Sequence, residues 1–216
     1  MYIDLHTHSL LLQDKDSISI VNSSNPTTAD NTLFSAGLHP WDITTGWEKE
    51  FSCINEIATH PQVVAIGECG IDKIKKTASA ATQEDALAAH ALLAEEVKKP
   101  LILHCVKGTE EIIALHRKIH PQQAWIIHGF RGKPELAAQF LREGLYLSYG
   151  EKFNSNSLKA TPLDKLFIES DTSSTPIKDI YTAIAVERGT TIEELAEAIQ
   201  NNATVCNIAV NRARQV

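Results

Sequence analysis

The 216-residue sequence has no apolar run near the roughly 20 residues that cross a bilayer, and no CxxC pair among its four cysteines, Cys53, Cys69, Cys105 and Cys206. The first absence argues against a membrane-spanning segment. The second leaves neither a disulfide framework nor a structural zinc site. The amino-terminal residues lack a basic start and carry Asp4, His6 and His8 where a leader peptide needs an apolar stretch, so a cytoplasmic location is expected. Positive charge is also scarce: 20 Lys and Arg face 27 Asp and Glu, a formal net charge of −7. That balance excludes a broad electrostatic footprint on nucleic acid but leaves room for a small, locally positive site. No repeat, low-complexity run or linker interrupts the chain, which reads as one domain over residues 1–216. Its 43% hydrophobic and 22% charged content suits a soluble domain with one sizeable core.

What is present is a succession of short apolar runs separated by helical patterns. The first eight residues, with Tyr2, Ile3 and Leu5, make a strand. Further strands are expected at 17–21, 33–38, 63–66, 101–104, 124–128, 145–149 and 166–169. Several of these lack polar alternation, as strands of a parallel sheet buried on both faces do. Trp47, Phe51, Ile54 and Ile57 recur at helical spacing. A helix is expected from about Thr82, its N-cap, to Lys98, with Lys98 and Lys99 complementing the dipole at its end. Others run from Thr109 to near Pro121 and from Pro134 to Gly144. A short irregular or helical piece covers 154–161, and two helices close the chain, the last starting at Thr190 or Thr191 with Glu193 and Glu194 in capping-box positions. Eight βα units predict a (β/α)8 TIM barrel, compact enough that the helix after strand one is missing.

The polar residues then fall into a pattern. His6 and His8 alternate on strand one and so aim the same way. Glu68 ends strand four, His104 strand five and His128 strand six, while Asp171 follows strand eight. The carboxyl ends of the strands are where such barrels place their chemistry. Four imidazoles and two carboxylates gathered there without cations would carry heavy desolvation and repulsion costs. One catalytic zinc takes about three protein ligands, and six suit two divalent ions, Mg, Mn or Zn. Cys69 and Cys105 directly follow ligands, so alternation turns them off the rim. His60, His90, His116 and His120 lie in or beside helices and read as surface or internally satisfied residues.

The segments Asp4-Leu-His-Thr-His8, Ala36-Gly-Leu-His-Pro40, Ala65-Ile-Gly-Glu-Cys-Gly-Ile-Asp72, Pro100-Leu-Ile-Leu-His-Cys105, Ile127-His-Gly-Phe130 and Ile168-Glu-Ser-Asp171 appear in this order over most of the chain. Together they resemble the TatD-type metal-dependent deoxyribonucleases of the amidohydrolase superfamily. The resemblance implies a barrel with His6, His8, Glu68, His104, His128 and Asp171 as metal ligands, Glu68 bridging, and phosphodiester hydrolysis of DNA or a smaller phosphodiester. The chain departs from the family at Lys73-Ile-Lys-Lys76, at Val106-Lys107 and at Thr172-Ser-Ser-Thr-Pro176, which are substrate-facing regions. Glu68 and Asp171 are the expected catalytic carboxylates, Asp171 accepting the proton of the attacking water. His39, Lys73, Lys107 and Arg131 are candidates to hold phosphate. Two other readings remain open: a hydrolase of a phosphomonoester or C–N bond, and a non-catalytic metal-binding accessory barrel.

Overall fold

The computed structural model describes residues 1–9, 15–26, 32–75 and 77–210. Eight strands follow one another in the sheet in chain order, every neighbouring pair parallel: β1 (Tyr2–Thr7), β2 (Ser17–Ser23), β3 (Leu33–Ala36), β4 (Val63–Asp72), β5 (Leu101–Val106), β6 (Trp125–Ile127), β7 (Tyr146–Tyr149) and β8 (Leu166–Ile168). The barrel closes through a parallel bridge between Thr7 and Asp171, where the Asp171 amide donates to His6 O at 2.9 Å and the His8 amide to Asp171 O at 3.1 Å. Helices α1 (Trp47–Ile57), α2 (Ala80–Val97), α3 (Thr109–Ile119), α4 (Pro134–Arg142), α5 (Ser155–Ala160), α6 (Ile177–Arg188) and α7 (Ile192–Val205) complete the architecture. The expected absence of a helix after strand one falls on residues 9–16, of which 10–14 lie outside the described residues.

Apolar strand residues with buried neighbours on both faces explain why the runs lack alternation: β4 is buried at all ten positions. α6 and α7 secure the seam. The Tyr181 hydroxyl donates to Ile3 O at 2.9 Å, and Asn202 Nδ2 donates to Leu163 O and Leu166 O at 2.7 and 2.8 Å.

Three local expectations are corrected. β4 does not stop at residue 66 but continues to Asp72. Gly67 and Gly70 look like breakers in sequence, yet both sit inside the strand at φ +123° and +145°. A Cβ at Gly67 would collide with Ile102 O, and one at Gly70 with His104 O, so glycine there lets β5 approach closely. α2 is capped by Ser79 rather than Thr82: the Ser79 hydroxyl accepts from the Thr82 amide at 3.1 Å. Lys99 turns its ammonium to the carbonyls of Ala58 and His60 at the end of α1, not to the end of α2. The capping box of α7, Thr191 with Glu194, is as expected. The remaining strands begin and end within two residues of the apolar runs that predicted them.

Candidate metal centre

β1 sets the first two imidazoles. His6 and His8 project to one side with ring centroids 5.0 Å apart, His6 fully buried and His8 at the open edge. The next alternate position, Asp4, is buried and binds the end of β8: its carboxylate accepts from the Ser170 amide at 2.8 Å and hydroxyl at 2.6 Å. Burial pushes the Asp4 carboxyl up to about 7, against the pull of those Ser170 bonds. Asp171, the next residue, is thereby held beside His8, with its Oδ1 3.7 Å from His8 Nε2.

Glu68 is the hub. Its Oε2 lies 3.2 Å from His6 Nε2 and 3.6 Å from His8 Nε2. Its Oε1 lies 2.7 Å from His128 Nε2, 2.8 Å from His104 Nδ1 and 3.1 Å from His39 Nε2. Burial alone would raise this carboxyl, but His128, His104 and His39 hold it well below the usual carboxylate range. The Glu68 amide donates to Asn22 Oδ1 at 2.7 Å, and the Ser35 hydroxyl to the same oxygen at 3.3 Å, so β2 and β3 fix the hub through partly buried polar contacts.

Two further carboxylates set the histidine tautomers. His104 turns Nε2 to Asp72 Oδ2 at 3.2 Å, so Nδ1, 2.8 Å from Glu68 Oε1, is the nitrogen that a cation would take in place of its proton. His128 turns Nδ1 to Glu169 Oε1 at 3.3 Å, so Nε2, 2.7 Å from Glu68 Oε1, is the nitrogen that a cation would take in place of its proton. Such carboxylate–histidine pairs orient metal-binding imidazoles and raise their basicity. Asp72 also accepts from Trp41 Nε1 at 2.7 Å and from the amides of Ile74 and Lys75 at 2.8 and 2.9 Å. Despite burial, these bonds lower its carboxyl to about 2. Glu169 likewise accepts from the Gly129 amide at 2.6 Å. Burial opposes the charge of His128, yet Glu68 and Glu169 on either side hold its pKa well above the ordinary histidine value. The pocket therefore calls for positive charge.

Three groups, each with its candidate ligand atoms within 4.8 Å, gather among the described residues: His6/His8/Glu68, His6/His128/Asp171 and His39/Glu68/His104, the last keeping only Glu68 and His104 as ligands. Between them they use all six predicted ligands. Neither nitrogen of the fully buried His6 ring makes a hydrogen bond, and Nε2 has only the Glu68 carboxylate beside it at 3.2 Å. An unmatched buried polar group is costly, and a cation at Nε2 relieves it, so these residues fit a metal. His39 differs from the others. Its Nδ1 accepts from the Trp41 amide at 3.0 Å, so its Nε2 carries the proton and is a donor rather than a ligand.

These side chains line an open cavity of about 740 Å³ that includes His8, His39, Glu68, His104, His128 and Asp171. A second cavity of about 490 Å³ shares His104, His128 and Asp171 and adds Lys107 and Arg131. Lys73 is not among the residues lining either cavity; its ammonium is 2.6 Å from Glu111 on α3. Cys69 faces Ile102 O, off the cluster as alternation predicts, whereas Cys105 faces Thr109 and also lines the second cavity beside His104. Sequence reasoning gave no role to Asn22, Asp72 or Glu169. Asp72 and Glu169 had a signal, each being an acidic residue within four positions of a predicted ligand, Asp72 at the end of β4 and Glu169 directly after β8.

The TatD-related DNase family model matches residues 5–206. The chain belongs to that family. Its relatives include a metal-dependent hydrolase of Bacillus subtilis (strain 168), YabD, 29% identical over 77% of this chain and 74% of that protein. The 3′-5′ ssDNA/RNA exonuclease TatD of Musicola paradisiaca (strain Ech703) is 28% identical over 68% of this chain and 59% of its own length. Among solved structures, the TatD homolog YjjV of Escherichia coli K12 superposes with a TM-score of 0.79, covering 95% of this chain and 97% of that one at 18% identity, and so shares the fold. This TatD-family chain is thus a metal-dependent hydrolase.

Proposed function

We propose that the chain hydrolyses phosphodiesters, taking short or single-stranded nucleic-acid ends in preference to long duplex, at two divalent ions held by His6, His8, Glu68, His104, His128 and Asp171. The observation that carries this reading is the Glu68 carboxylate within 3.6 Å of five imidazole nitrogens, one oxygen facing His6 and His8, the other His104 and His128. A carboxylate so divided would suit the two ions of a two-metal site. When bound, they supply a Lewis acid for the phosphoryl oxygens and make water a better nucleophile at neutral pH.

The chain's own residues do the rest. Asp171 accepts the proton of the attacking water; its backbone is fixed by the bridge to Thr7, and its carboxylate opens onto both cavities. His39 donates its Nε2 proton to a non-bridging phosphate oxygen. Lys107 and Arg131 hold a neighbouring phosphate from the second cavity. The name of the Musicola relative supports a single-stranded nucleic-acid substrate. The net charge of −7 disfavours a long polyanion and so favours short ends. The four cysteines are free thiols, in keeping with a cytoplasmic home.

A substrate panel with Mg²⁺, Mn²⁺ and Zn²⁺ tests the proposal. Turnover of short single strands above phosphomonoesters, amides and long duplex is expected. Hydrolysis of phosphomonoesters or amides alone, or faster cleavage of long duplex, overturns it.

A further inference from the structure

Of the three tryptophans, Trp47 and Trp125 are buried at 8% and 1% exposure, whereas Trp41 is 41% exposed. Its position is fixed all the same. The indole Nε1 donates to Asp72 at 2.7 Å, the ring packs T-shaped against His39 with centroids 4.6 Å apart, and the backbone amide donates to His39 Nδ1. Its loop is tied further by the Thr77 hydroxyl, which donates to Pro40 O at 2.9 Å. Trp41 lines both the cavity of the metal centre and its neighbour. A large apolar ring held rigid and left in water is organised for a flat partner. The Lys75 ammonium sits over the ring, 3.6 Å from the centroid. An exposed cation–π contact is weaker than base stacking, so a base displaces it.

From this geometry we infer that Trp41 is the stacking platform for a nucleobase adjoining the phosphate at the metal centre, and that it makes this chain select unpaired bases rather than phosphodiesters at large. A base can stack on Trp41 only when it is free of its own neighbours, as at a single-stranded end. The inference rests on the phosphodiesterase reading and names the part of the substrate that reading leaves open.

The test compares two strands of equal length, one of thymidines and one of abasic sugar residues, both phosphorothioate-linked to resist cleavage. Dissociation constants are measured on the metal-loaded protein by anisotropy of an end label. Trp41→Ala should weaken the thymidine strand about ten-fold or more and the abasic strand by less than two-fold. Trp41→Phe, which keeps a ring but not the bond to Asp72, should retain most of the wild-type preference for bases. Thymidine binding should also quench tryptophan fluorescence in the wild type and not in Trp41→Phe.

Equal weakening of both strands by Trp41→Ala overturns the inference, as does Trp41→Phe binding as poorly as Trp41→Ala, which would reduce Trp41 to a support for Asp72. In either case continued cleavage of ordinary phosphodiester strands leaves the proposed function standing. A wild-type protein that binds neither strand and cleaves no phosphodiester sinks both.

Discussion

Glu68 Oε1 and His128 Nε2 meet at 2.7 Å although their strands, β4 and β6, are separated in the sheet by β5. The barrel's curvature makes this possible, and the contact places a full negative charge at the centre of a ring of imidazoles. Glu68→Gln keeps the shape and removes that charge. The variant is expected to fold, to lose phosphodiesterase activity by a factor of about 100 or more, and to bind one ion more weakly than the other. Undiminished turnover contradicts the role given to Glu68.

His39 separates substrate binding from metal binding. Because its Nδ1 is taken by the Trp41 amide, its Nε2 carries a proton, which faces Glu68 Oε1 at 3.1 Å and is the one to pass to a phosphate oxygen when metal occupies Glu68. His39→Ala should raise KM for a phosphodiester about ten-fold, on the scale of a charge-assisted hydrogen bond, and leave metal content unchanged. Loss of an ion in that variant would place His39 among the ligands instead.

Asp72 and Glu169 act through His104 and His128. Asp72→Asn and Glu169→Gln should each lower metal affinity about 10- to 100-fold while the ligands remain in place. Titration with a chromophoric chelator measures this. Wild-type affinity in both variants would show that the tautomers are fixed by other means.

His90 supports the loop that carries His39. Its Nδ1 donates to Ala86 O at 2.7 Å, and its Nε2 accepts from the Leu38 amide at 3.0 Å. Burial lowers its pKa from 6.5 to about 4, against the pull of the Ala86 bond. The unfolded chain therefore binds this proton first. The stability held by neutral His90 is complete above pH 6.5 and is lost as pH falls toward 4, by up to about 3 kcal/mol. His90→Gln should flatten that part of the metal-free protein's stability curve, as followed by urea unfolding at pH 7 and pH 4.5. An unchanged slope would assign the acid sensitivity to other groups.

The barrel was legible because buried parallel strands are continuous apolar runs: Leu101-Ile-Leu and Ala124-Trp-Ile-Ile identify themselves without partners. Six polar residues at the ends of such runs announced the cluster in the same way. β4 was cut short because its two glycines look like punctuation, and only the close approach of β5 explains them. Asp72 and Glu169 went without roles because their partner histidines lie 32 and 41 residues away in the chain: Asp72 meets His104 through the pairing of β4 with β5, and Glu169 meets His128 across β7. Lys73 and Lys107, one residue past β4 and β5 respectively, look equivalent in sequence. Glu111 on α3 captures Lys73, while Lys107 lines the second cavity, a distinction that no local pattern carries.

The central claim is that the six residues at the strand ends hold metal. Metal content of the folded His6→Ala/His8→Ala double variant, measured by elemental analysis beside the wild type, tests it most directly. Two divalent ions per wild-type chain, falling to one or none in the variant, are expected; an unchanged metal content in the variant would contradict the assignment.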